Sequence, residues 1–130
     1  MPITHVQVVS VYVRDQDKAL DFYTNTLGFE KVNDEDMGGG LRWVEVVPPG
    51  AQTHIVLASG YGHPNWESLI GGPTTLVFEA DDIQGTYEDL KDKGVRFTEA
   101  PTMQPWGMMQ ALFEDPEGNG YVLVQRPSRG

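Results

Sequence analysis

Apolar residues recur at two periods along this chain, and each switch between them marks a new element. In "THVQVVSVYV" (residues 4–13) valines crowd both parities, the pattern of a strand buried on two faces. The next stretch, "RDQDKALDFYTNTLGF", changes to helical spacing, with Ala19, Leu20, Phe22, Tyr23 and Leu27 on one stripe. Asp15 stands where it can cap the first turn, and Asp17 suits the positive end of the helix dipole. Gly28 stands where a C-terminal cap belongs. Three strand-like segments follow: residues 30–34, "LRWVEVV" and "THIVLAS". Glycines 38–40 and the Pro48-Pro49-Gly50 cluster separate them.

The same order then recurs. "TTLVFEA" is a strand, and "DDIQGTYEDLKDKG" is a helix with Asp81 or Asp82 as cap. Its stripe is Ile83, Tyr87 and Leu90, and Gly94 is its stop. "VRFTEA", "MMQALFE" and "GYVLVQ" complete the set. A shift of 66 residues brings Asp15 onto Asp81 and Gly28 onto Gly94. Repetition on this scale predicts two copies of one β-α-β-β-β unit. The fold class is therefore α+β, with two βαβββ modules forming cupped mixed sheets in a single domain over 1–130. Module 1 covers about 3–58, the linker 59–73 and module 2 about 74–126. A helix covers one face of each sheet; the other face must meet a counterpart or enclose something.

Composition narrows the chemistry. The 130 residues include no cysteine, which removes disulfides, thiolate metal sites and cysteine nucleophiles and suits a cytoplasmic setting. No 18-residue apolar run and no signal-like start is present, so no membrane partner is expected. The formal charge of −10 repels nucleic acid; most of the acids read as solvated surface, and the sharper reading is a potential that draws in cationic small molecules. "GGG" lacks the helix and lysine of a phosphate loop, and no serine lies in a nucleophile elbow.

The segment "FEDPEGNGYVLVQ" supplies turn residues between two strands, with Gly118 and Asn119 read as tolerating a positive φ. With "DQDKALDFYTNTLGF" and the duplicated unit, it resembles the vicinal oxygen chelate superfamily over nearly the whole chain. That superfamily includes glyoxalases, extradiol dioxygenases, fosfomycin-modifying enzymes and bleomycin-binding resistance proteins. The resemblance implies a homodimer and, in metalloenzyme members, His, Glu or Gln ligands on the first and last strand of each module. Carried over residue by residue, those positions fall on Val8, Val56, Thr75 (Thr74 in a slipped register) and Val122. Three are valines and the fourth is a poor ligand, so no metal and no cofactor are expected, a non-standard cluster drawn from His54, Glu45, Glu79 and Gln110 being the alternative.

Strand parity places Val8, Ser10, Trp43, Glu45, His54, Val56, Thr75, Val77, Glu79, Gln110, Leu112, Val122 and Val124 on the concave faces. Val6 shares that parity. Trp66, Trp106 and Met108 extend the candidate ligand-binding set with stacking faces and adaptable apolar surface. Glu45 and His54 are the candidate acid–base pair, and enclosure is expected to raise the pKa of the carboxyl. His5 and His63 are expected at a strand start and on a loop, away from the site. The first functional expectation is a metal-independent binding protein that sequesters a flat, largely apolar ligand, cations included, such as an antibiotic. The alternatives are an enzyme of the same superfamily and a domain whose concave face is filled by its own side chains. The enzyme would be a divalent-metal lyase, isomerase or dioxygenase, or a metal-free catalyst using Glu45 and His54.

Overall fold

The opening strand of each repeat becomes the outer strand of a four-stranded mixed sheet. The structure, a computed structural model, describes residues 1–127. Strands β1 (Val8–Tyr12), β2 (Glu30–Gly38), β3 (Leu41–Val47) and β4 (His54–Ala58) lie in the order β1-β4-β3-β2. Strands β5 (Pro73–Glu79), β6 (Arg96–Met103), β7 (Met109–Glu114) and β8 (Gly120–Gln125) repeat it as β5-β8-β7-β6. In both sheets the first strand pairs parallel with the fourth, and the other neighbours run antiparallel. Helices α1 (Gln16–Asp21) and α2 (Ile83–Asp92) follow the first strand of each set. The fold is thus α+β with two βαβββ modules, as the repeat predicts. The chain divides into two compact units, Met1–Ile70 and the part from Gly71 onward.

In the first unit the middle of the helix side of the sheet is apolar, with Lys31, Asp34 and Arg42 at its β2–β3 edge. Val11, Val13, Val44, Val46, Ile55 and Leu57 are buried, as are Ala19, Phe22 and Tyr23 of the helical segment. Burial of each large side chain stabilises the fold by about 1.5–3 kcal/mol. In the second unit α2 lies against β6, β7 and β8. There Ile83 and Leu90 are buried, and Phe78, Phe97, Phe113 and Tyr121 form an aromatic cluster.

The two helical segments differ by one residue. Asp15 Oδ1 accepts from Lys18 N at 3.0 Å. In the second unit it is Asp82, not Asp81, whose Oδ1 accepts from Gly85 N, also at 3.0 Å. A Cβ on Gly85 would sit 2.4 Å from Asp82 Oδ2, so a larger residue there would oblige the carboxylate to turn. The interval from Asp15 to Gly28 is therefore one residue longer than that from Asp82 to Gly94. A π-type turn over Phe22–Thr26 absorbs the extra residue: Leu27 N donates five residues back to Phe22 O at 3.0 Å.

Several boundaries depart from the pattern. The strand expected from residue 4 is regular only from Val8, and Val6 is 59% exposed outside it. Strand β2 runs on to Gly38; it is an edge strand, polar on both faces, so no alternation betrays its length. In the hairpin before β8 only Gly118 takes a positive φ, at 84°. Asn119 serves through its side chain instead. Its Nδ2 donates to Asp115 Oδ2 at 2.8 Å, and its Oδ1 accepts from Gly71 N at 2.9 Å. Asp115 Oδ1 accepts from the amides of Glu117 and Asn119, both at 2.9 Å.

Candidate functional site

Each unit leaves one sheet face free of its helix, and the candidate residues fall on those faces. On the first, β-ladder register sets Val8 opposite His54, Ser10 opposite Val56, Val56 opposite Glu45, and Glu45 opposite Asn33. Val56 is fully buried and Glu45 is 8% exposed. Val8 and His54 are half-buried, and Ser10 is exposed. The sequence-predicted cluster Val8, Ser10, Trp43, Glu45, His54 and Val56 is therefore gathered on one face of one sheet.

Its polar centre is Glu45. Oε1 accepts from Trp43 Nε1 at 2.9 Å and from Asn33 Nδ2 at 3.5 Å, and Oε2 meets His54 Nδ1. Burial pushes the carboxyl's pKa up. The hydrogen bonds from His54, Trp43 and Asn33 outweigh it, so the pKa lies below the ordinary value of 4.5. The expectation that enclosure would raise this pKa is thus corrected: the donors arrive with the enclosure. Glu45 is held as a carboxylate.

Asn33 and Tyr61 touch the cluster although sequence parity did not assign them to the site. Tyr61 stacks on Trp43, with ring centroids 6.0 Å apart and planes 18° from parallel. Its hydroxyl donates to Arg42 O at 3.0 Å, and Gln16 Nε2 donates to the same oxygen at 2.9 Å. Burial raises the Tyr61 pKa, which keeps that hydroxyl a donor. The Arg42 side chain grips Asp34 through two bonds of 2.7 and 2.8 Å and Asp17 through one of 2.7 Å. Trp43 is thereby fixed between its covering ring and the carboxylate.

On the second unit's free face, Val77, Val122 and Leu112 lie side by side, as do Glu79, Val124 and Gln110. Val77 is 59% exposed, whereas Val124 is nearly buried. Glu79 is exposed and accepts from Arg126 Nε at 2.5 Å, so its charge is already paired. Thr75 interrupts the ladder: β5 places three residues between Pro73 and Val77 where β8 places one between Gly120 and Val122, and Thr75 takes φ 65°. With Pro73, Thr98, Leu112 and Val122 it borders a groove of about 250 Å³. That is below the roughly 300–1,000 Å³ of drug-sized sites.

The remaining candidates stand off these faces. Trp66 lies in a 3₁₀ turn, Trp66–Leu69, beside β1. Trp106 is 63% exposed in the β6–β7 turn, and Met108 is half-buried just before β7. His5 and His63 are exposed, on the segment before β1 and on the connector. Val8, Val56 and Val122 carry no donor atoms, and Thr75 has spent its hydroxyl on Thr74 O at 2.6 Å. Among the described residues no three His, Asp or Glu side chains are grouped to hold a metal ion. The positions that carry metal in the metalloenzyme relatives therefore do not fit one here. Among the described residues no helix is long and apolar enough to cross a membrane.

Comparison with known proteins agrees with the fold. A solved superfamily member from Sphaerobacter thermophilus DSM 20745 is 44% identical, with TM-score 0.89 over 95% of this chain and 98% of that one. TnmS3, an antibiotic binding protein from Streptomyces sp. CB03234, is 39% identical, with TM-score 0.85 over 98% of this chain and 99% of its own. The uncharacterized protein YetH of Bacillus subtilis (strain 168) is 38% identical over 95% of this chain and 99% of its length. The family model described as Glyoxalase/Bleomycin resistance protein/Dioxygenase superfamily matches residues 3–123. This chain belongs to that superfamily.

Proposed function

We propose that this chain is a metal-independent small-molecule-binding protein that sequesters a flat, largely apolar ligand, such as an antibiotic, against the helix-free sheet faces. One observation carries the reading: Val77, Val122 and Leu112 form an apolar row on the sheet face away from the helix of their own unit, with Val77 59% exposed. Apolar rows with a few polar groups are the usual makeup of small-molecule sites. The likeness to TnmS3 supports the ligand class. The valines at three ligand positions support binding without a metal. The net charge of −10 favours a cationic member of that class. A homodimer completing the site belongs to the same proposal.

A second reading has its own observation, the contact between Glu45 and His54. An imidazole oriented by a carboxylate is a general base, so the pair could turn a ligand over without a metal. Native mass spectrometry with elemental analysis of the purified protein tests both. A bound organic molecule with no stoichiometric metal is the expected result. A stoichiometric divalent ion overturns the proposal. Release of that molecule with an altered mass, abolished by His54→Ala, favours the second reading over the first.

A further inference from the structure

We propose that His54 Nε2 is a built hydrogen-bond acceptor for the acidic O–H of a phenol or enol carried on a flat aromatic ligand. This rests on the small-molecule-binding reading and adds to it the polar group that the ligand must carry. Glu45 fixes the chemistry of the ring. An ionised carboxylate only accepts, so the proton between Glu45 Oε2 and His54 belongs to Nδ1. In the neutral imidazole the lone pair then sits on Nε2. The carboxylate cannot turn away, because Trp43 and Asn33 hold its other oxygen at 2.9 and 3.5 Å. A carboxylate behind an imidazole also makes the far nitrogen a stronger acceptor.

The surroundings select the donor. The His54 side chain is 28% exposed, and Nε2 has no partner among the described residues. Its cross-strand neighbour is the half-buried Val8, so a ring laid beside His54 meets apolar surface. An anionic ligand would meet the charge of Glu45. A cation is drawn to that charge, but Nε2 still needs a proton donor on the ligand. A neutral but acidic hydroxyl on an aromatic ring meets the acceptor and the apolar neighbours together. A bare aromatic ring would leave Nε2 desolvated without a partner, which costs affinity.

The test uses three fluorescent probes of one shape: 2-naphthol, 2-methoxynaphthalene and naphthalene. Fluorescence titration of the full chain is expected to show 2-naphthol bound about tenfold more tightly than the methyl ether. His54→Phe, which keeps a ring in place, is expected to bring the two to equal affinity. A variant-free readout accompanies it: the ¹⁵N resonance of Nε2 is expected to move upfield from an unprotonated position when 2-naphthol is added, and a protonated Nε2 in the free protein overturns the acceptor. Equal binding of 2-naphthol and its ether by the natural chain, or an unmoved Nε2 resonance at saturation, overturns the acceptor and leaves the apolar reading standing. Failure of all three probes to bind overturns the apolar reading itself, and the acceptor with it.

Discussion

With 8% of its surface exposed, Glu45 would hold its proton more tightly than a carboxyl in water if burial acted alone. Three donors reverse the balance, and the folded pKa falls below 4.5. The consequence for stability has a definite sign. A carboxyl whose pKa is lower in the folded than in the unfolded chain stabilises the fold above its unfolded pKa. That contribution is lost as pH falls through the folded value. Urea unfolding of the natural chain and of Glu45→Gln is therefore expected to give a stability difference that is constant above about pH 6. The difference should shrink once the pH drops below 4.5. A gap that widens on acidification would mean the donors do not hold the carboxylate. The residues that complete this cluster escaped sequence parity for separate reasons. Asn33 sits on a strand with no apolar face, and Tyr61 sits in a connector, where no period applies.

At the scale of elements, legibility follows how much apolar contrast a segment carries. The strand read from "LRWVEVV" and the one read from "GYVLVQ" have the bounds expected, since turn residues close both ends of an apolar run. The cap of α2 shifts from the symmetric position because the first helix holds one more residue, and a π-type turn leaves no mark in polarity. Strand β5 hides its irregularity in the same way. Its run of Thr, Leu, Val and Phe reads as regular, yet Thr75 takes φ 65°, costly for a β-branched residue. Thr75→Gly is expected to raise stability by up to about 1 kcal/mol, the relieved strain being partly offset by glycine's greater freedom in the unfolded chain. Equilibrium urea unfolding measures it. A clear loss would show that the Thr75 hydroxyl bond to Thr74 O outweighs the strain.

For the whole molecule, the repeat made the architecture readable while the ligand positions made the common chemistry of the superfamily unreadable. Val8, Val56 and Val122 can be named from the sequence, but only the structure gives their setting: Val56 fully buried, Val8 and Val122 half-buried. The exposed apolar side chains of the second unit, Val77, Met103 and Trp106, add weight to the proposed homodimer. Sedimentation equilibrium at micromolar concentration is expected to return twice the chain mass of 14.4 kDa. A value of one chain mass would remove the dimer from the proposal and leave each sheet face to bind alone.

The parallel pairing of β5 with β8, tied at its base by Asn119 to Gly71, also sets a timetable for synthesis. A ribosome releases β5 long before β8 exists, so the second sheet waits with an unmatched outer strand until its last strand emerges. The first sheet closes once β4 is out, and it can fold while the rest is still being made. A chain cut short after β7 would keep the first sheet and the β6–β7 hairpin. It would carry β5 as a bare, sticky ribbon, the form that quality-control proteases and aggregation claim first.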